Sequence, residues 1–157
     1  MRETENKGVF RLLGSRLEAK SRVLPMTTPD PKRDYYLKAG SHPDVVARVW
    51  DQLGKALPGS SRALVFGTPA LVHHESGTVI AFALGTEYAI RLPRRMWRQG
   101  RPGGRRTVVN WAGGSSTDIE RECGRGWIFG SYLTDEIAWC EEAFRDCNGS
   151  TGQHTVR

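Results

Sequence analysis

Residues 64–92 read LVFGTPALVHHESGTVIAFALGTEYAIRL. Short apolar runs alternate with turn signals, which is strand chemistry. Arg62 to Phe66 is a first strand, and Gly67-Thr68-Pro69 turns it. Ala70 to His74 is a second, closed by Glu75-Ser76-Gly77. Thr78 to Leu84 is a third, rich in β-branched and aromatic residues. Gly85-Thr86 makes a two-residue hairpin of the Gly-X type. Glu87 to Leu92 is the fourth, with Tyr88, Ile90 and Leu92 alternating against Glu87, Ala89 and Arg91. Loops this short join antiparallel neighbours, because a parallel pair needs a crossover.

Outward from this meander, Pro43 to Leu57 is a helix. Ser41 and Asp44 form a capping box, Pro43 fits the first turn, and Pro58-Gly59 ends it. Val45, Val46, Val49, Trp50, Leu53 and Leu57 form one apolar stripe, and Arg48, Asp51 and Lys55 take the other side. The meander packs one face on this helix, with Trp50 as a core aromatic. On the far side, Arg105 to Trp111 resumes as a strand and Ala112 to Thr117 is a Gly/Ser-rich loop. Asp118 to Cys123 makes one helical turn and Gly126 to Gly130 a short strand. Thr134 caps a closing helix whose apolar line is Ile137, Cys140, Phe144 and Cys147, ended by Asn148-Gly149. The expected fold class is α+β: a two-layer sandwich, an antiparallel sheet of five to six strands with two helices on one face.

Residues 1–40 read as a mobile basic leader. Val9 to Leu17 suits a short basic amphipathic helix, since Phe10, Leu13 and Leu17 fall at helical spacing, while Pro25, Pro29 and Pro31 rule out regular structure over residues 23–33, so the leader is expected to be largely mobile or wrapped on the surface. Met26 stands as an alternative start. A single domain is expected over 41–147, with a polar tail over 148–157.

The chain has 157 residues, 38% hydrophobic and 25% charged, which suits one ordinary folded domain. No apolar run approaches a bilayer span and no secretory signal is legible, so a cytoplasmic protein off the membrane is expected. Net charge is +6, carried as +4 over 1–40, +3 over 41–100 and −1 over 101–157. The cysteines are Cys123, Cys140 and Cys147, an odd number that suggests free thiols in a reducing compartment. Seven residues along a helix put Cys140 and Cys147 about 10 Å apart, too far for a disulfide.

The residues that could carry chemistry are few. His73 and His74 are adjacent on a strand and point to opposite faces, a poor start for one metal site. Ser60-Ser61 and Ser115-Ser116 lie in loops without a nucleophile elbow. Gly100 to Gly104 matches neither GxxxxGK[ST] nor a dinucleotide fingerprint. No catalytic, metal or cofactor-binding residues are assigned on these grounds. The strongest functional feature is RRMWRQGRPGGRR at 94–106. Arg94, Arg95, Arg98, Arg101, Arg105 and Arg106 are placed to contact phosphates, with Trp97 stacking on a base. The bland alternative is an insert kept soluble by its charge. Nucleic acid or an acidic protein is the possible partner, and a homodimer is open.

The order of helix, Phe66-Gly67 turn, hairpin at Gly85-Thr86, Tyr88-Ala89-Ile90-Arg91-Leu92-Pro93, strand ending Phe129-Gly130 and helix through Trp139 resembles the amino-terminal domain of TfoX-type competence regulators and the related YjbR-like fold. The resemblance spans about residues 41–147. It implies a small α+β domain without established enzymatic activity, a binding or regulatory module for protein or nucleic acid. The Arg/Gly insert at 94–106 departs from the family pattern, and the second, helical domain of full-length regulators is not seen in the sequence. An enzyme of unknown class is the remaining alternative.

Overall fold

In the computed structural model, residues 3–15, 26–27, 42–97, 107–111 and 115–156 are described. The meander runs through β2 (Arg62–Val65), β3 (Thr68–Val72), β4 (Val79–Leu84) and β5 (Glu87–Arg91), each antiparallel to the next. β1 (Met26–Thr27) adds to one edge, pairing with β2. β8 (Trp127–Phe129) adds to the other, pairing with β5. The sheet order is β1-β2-β3-β4-β5-β8. The hairpin of β6 (Thr107–Trp111) and β7 (Ser115–Asp118) forms a separate two-stranded sheet. The expected Gly/Ser loop over 112–117 therefore contains a strand.

Of the two readings of the first turn, Gly67-Thr68-Pro69 and Phe66-Gly67, the second is found. Val65 pairs with Thr68, so the turn is Phe66-Gly67, and both residues have positive φ (50° and 76°). That is the twist a two-residue hairpin needs. A phenylalanine is an expensive choice there. Its ring explains the choice, because it meets Phe10 edge-on at 5.7 Å between centroids. Pro69 then lies inside β3, opposite Leu64 and just before pairing with β4 begins at Ala70. Its missing N–H falls just beyond the last paired residue between β3 and β4, a position where a strand tolerates proline. The Gly85-Thr86 hairpin is found where expected, with Leu84 opposite Glu87 and Gly85 at φ 64°.

One sheet face carries the two expected helices. α2 begins as Pro43–Ala47 and continues as a π-helical stretch, Arg48–Leu53. Its cap is His42, whose Nδ1 accepts the Asp44 N–H at 3.1 Å, in place of the expected Ser41 box. Ser41 lies outside the described residues. α4 (Asp135–Val156) runs past the expected stop at Gly149. Val45, Val49, Trp50, Leu53, Cys140 and Ala143 pack on Leu64, Leu71, Tyr88, Ile90 and Leu92. The Trp50 indole N–H donates to the Ala70 carbonyl at 2.9 Å.

In the leader, the helix read over Val9 to Leu17 is found as Glu3–Ser15, α1, starting and ending earlier than expected. Val9, Leu12 and Leu13 are buried against Val65, Ala70, Phe82, Leu84 and Trp127 on the opposite sheet face. The rest of the leader, apart from β1, lies outside the described residues. The short helix α3 (Ile119–Cys123) closes the same face beside α1. β3, β4 and nearly all of β5 are consequently buried on both faces. Each large apolar side chain taken from water this way contributes about 1.5–3 kcal/mol. No helix among the described residues is long and apolar enough to cross a membrane.

Candidate functional site

The chemistry-bearing side chains gather where α2, β5 and α4 meet. Arg48, assigned by spacing to the solvent side of its helix, is 5% exposed. The sheet covers one flank of α2, and α4 covers the next. A single-helix stripe shows only the first of these contacts. The guanidinium Nε–H donates to Tyr88 Oη (3.1 Å) and Nη1–H to Gln52 Oε1 (2.8 Å). Nη2 donates to the Leu133 carbonyl (2.8 Å) and pairs with Glu136 Oε1 (3.0 Å). Glu136, in the first turn of α4, is 1% exposed.

The remaining valences are filled too. Tyr88 Oη–H donates to Glu136 Oε1, while Tyr88 Oη accepts the Tyr132 N–H at 2.7 Å. Glu136 Oε2 accepts the Ser131 N–H at 2.7 Å. Burial, then the bond to Glu136, pushes the Tyr88 hydroxyl well above its ordinary value, so it stays protonated and donates. Burial opposes the Arg48 charge, but the bonds to Tyr88 and Glu136 outweigh it and raise its pKa. Gly130 permits the arrangement, since a Cβ there would fall inside the Tyr88 ring. The network ties the 131–133 loop to two helices and a strand.

Other candidates are also engaged by the fold. His73 is buried, with Nε2–H donating to Asn148 Oδ1 (2.7 Å) and Nδ1 accepting the Ser76 N–H (3.2 Å), and its ring packs on Phe144. His74 is exposed at the turn. All three cysteines are buried, and burial pushes the Cys123 thiol up to about 12 and Cys140 higher still. Among the described residues no group of three or more His, Cys, Asp or Glu side chains converges in a metal-binding arrangement. Arg91, on the opposite sheet face, donates from Nε to the Val79 carbonyl (2.8 Å) and lies over the Trp127 ring at 4.9 Å.

The arginine segment leaves the sheet at Pro93. Arg94–Met96 form a single 3-10 turn. The Arg94 N–H donates to Asp146 Oδ2 (2.9 Å), and Arg95 Nε–H donates to Glu142 Oε2 (2.7 Å), both on α4. The Trp97 indole N–H donates to the Leu92 carbonyl at 2.8 Å, and its ring abuts Gly126, where a Cβ would clash with it. Trp97 is thus partly seated in the core cluster of α2 and α4. Arg94 lies over the same ring at 5.6 Å. Arg98, Arg101, Arg105 and Arg106 lie outside the described residues.

Sequence reasoning placed the arginine turn and missed the buried network. The only trace of the network was Arg48, a lone cation flanked by Val45, Val46 and Val49. Nothing in the spacing tied it to Glu136, 88 residues away. No protein-family model, curated protein or solved structure matches this chain.

Proposed function

We propose that this chain is a binding module without a reaction of its own, and that its ligand is nucleic acid, taken by the arginines of 94–106. The observation that carries this reading is the mount of that segment. Its first turn is fastened to α4 through Asp146 and Glu142 and to the sheet through Trp97, and the chain returns as β6 at Thr107. A dense run of arginine whose first turn is anchored to the fold suits phosphate contacts, which fix position without reading sequence. The side chains best able to do chemistry, Arg48, Tyr88, Glu136 and His73, are meanwhile held by partners within the fold.

The broader reading is a regulatory module of the TfoX amino-terminal or YjbR-like kind, and the order of helix, meander and closing helix accords with it. An acidic protein is the alternative ligand for the same arginines. A cytoplasmic setting goes with this reading, since it keeps three thiols reduced.

The test is retention on immobilised double-stranded DNA and single-stranded RNA across a salt gradient. The full chain is expected to elute later at 50 mM than at 300 mM NaCl, with a linear dependence of log affinity on log salt. Changing Arg101, Arg105 and Arg106 together to Ala is expected to abolish retention. Retention that survives the triple change removes the segment as the site. An unretained wild-type chain overturns nucleic acid as the ligand.

A further inference from the structure

We propose that Arg95 contacts a backbone phosphate of the nucleic acid and that Glu142, on α4, positions its guanidinium for that contact, so that a carboxylate strengthens the binding of a polyanion. This rests on the reading of 94–106 as the nucleic-acid surface and adds to it a residue from outside that segment.

The turn that carries Arg95 is fixed at several points. The Met96 N–H donates to the Pro93 carbonyl (2.9 Å) and the Trp97 N–H to the Arg94 carbonyl (3.1 Å), which closes the turn on itself. Asp146 Oδ2 accepts the Arg94 N–H, Met96 is buried in the core cluster of α2 and α4, and the Trp97 indole N–H is bonded to the Leu92 carbonyl. Glu142 and Asp146 stand four residues apart, so they share one face of α4. The Trp97 ring is a poor platform for a base. A Cβ on Gly126 would clash with its Nε1, Cε2 and Cδ1, so the Gly126 backbone packs against the ring there, and the Arg94 guanidinium lies over it. What this turn offers a nucleic acid is therefore positive charge, and phosphate is the group that positive charge contacts.

The Arg95 side chain is 59% exposed, yet its Nε–H donates to Glu142 Oε2 at 2.7 Å. Nε lies on one edge of the planar guanidinium. A carboxylate held at Nε leaves the end formed by Nη1 and Nη2 open, and among the described residues no partner takes that end. Two parallel N–H groups there match two oxygens of a phosphate. A carboxylate competing with phosphate would take the two-donor end for itself. A long arginine loses rotamer freedom when it binds. Here that freedom is reduced before the ligand arrives. Charge alone predicts the opposite effect, since a carboxylate beside a phosphate site repels the ligand. The sign of the Glu142 effect therefore separates positioning from simple electrostatics.

The probes are two fluorescein-labelled DNA duplexes of unrelated sequence, titrated by anisotropy with the full-length protein from 50 to 300 mM NaCl. Arg95→Ala is expected to weaken binding of both duplexes about fivefold and to lower the slope of log affinity on log salt by about 0.9, the signature of one phosphate contact. Glu142→Ala is expected to weaken binding about threefold, the cost of ordering an untethered arginine. Glu142→Gln keeps an oxygen for the Arg95 Nε–H without the charge and is expected to bind at least as well as wild type. In the Arg95→Ala background, Glu142→Ala is expected to weaken nothing further, because it acts through Arg95. Thermal midpoints check that these surface variants fold. The proposal is overturned if Glu142→Ala binds as tightly as wild type or tighter, or if its loss persists without Arg95. It is equally overturned if Glu142→Gln fails to restore binding, or if Arg95→Ala leaves the slope unchanged. A wild-type chain that binds neither duplex overturns the reading of the segment and this inference with it. Wild-type binding combined with a tightened Glu142→Ala overturns this inference alone.

Discussion

The two faces of the sheet are both closed by helices, yet by different chemistry. The face under α2 and α4 contains a charged pair, Arg48 with Glu136, wrapped by Tyr88, Gln52 and loop backbone. The face under α1 and α3 is mainly an apolar contact of Val9, Leu12, Leu13, Phe82, Ile119 and Trp127, with Arg91 buried against the Trp127 ring. Its main polar lock is Asn6, whose Nδ2–H donates to the Gly77 carbonyl (2.7 Å) and whose Oδ1 accepts the Val79 N–H (3.0 Å). One amide thus completes the backbone bonding of a strand start. The lesson is about geometric demand. A buried ion pair adds little stability relative to well-packed apolar residues, but it fixes one arrangement of the elements that hold it. The other face holds its one buried cation among the described residues, Arg91, against a backbone carbonyl and the Trp127 ring.

The largest expected effect is on the polar face. Glu136→Ala leaves Arg48 charged and buried, and a loss of about 3–5 kcal/mol in urea unfolding is expected. Replacing both partners, Arg48→Met with Glu136→Leu, is expected to recover much of that loss. If the single change costs less than about 1 kcal/mol, the network does not hold this face and the contrast collapses. Second comes Asn6→Ala, which strands the Val79 N–H and should cost about 1–3 kcal/mol in the same measurement. A cost near zero would mean that α1 is dispensable to the sheet.

A smaller test uses the two glycines of α1. Alanine normally stabilises a helix interior by up to about 1 kcal/mol over glycine. A Cβ on Gly14 meets the Phe66 ring at an ordinary 3.5 Å, so Gly14→Ala is expected to be neutral or stabilising. A Cβ on Gly8 would press into the backbone of Glu122 and Cys123, so Gly8→Ala should reverse the sign and cost about 1–3 kcal/mol. Equal thermal midpoints for the two variants would show that α1 does not dock as described.

The last test is the response to base. Burial raises the Cys123 thiol from its ordinary value of 9.0 to about 12. The unfolded chain releases that proton first and so binds fewer protons than the folded one. The contribution is complete below about pH 9 and is lost as pH rises toward about 12. The slope is at most about 1.4 kcal/mol per pH unit. Unfolding free energies of wild type and Cys123→Ala are expected to converge or cross over this range. Parallel curves would place Cys123 in contact with solvent.

Much of the fold was legible because strand and turn chemistry is local. Gly85-Thr86 declares its hairpin, and alternation on β5 sends Tyr88 and Ile90 to the helix side. Strand-and-turn spacing left the first turn between Phe66-Gly67 and Gly67-Thr68-Pro69, because the Phe10 ring that meets Phe66 comes from α1, more than fifty residues earlier. Arg91 reads as a solvent-side residue and is buried for a similar reason: Trp127 arrives from β8 and covers it.

The sequence by itself determined the antiparallel meander, the apolar stripe of α2 and the basic character of 94–106, since periodicity and composition are properties of neighbouring residues. Only the tertiary structure decided that Arg48 meets Glu136, that α1 covers the second face, and that Tyr132 is held in a left-handed pose at the surface. Each joins segments far apart in the chain. The burial that sets their energies exists only after those segments have packed.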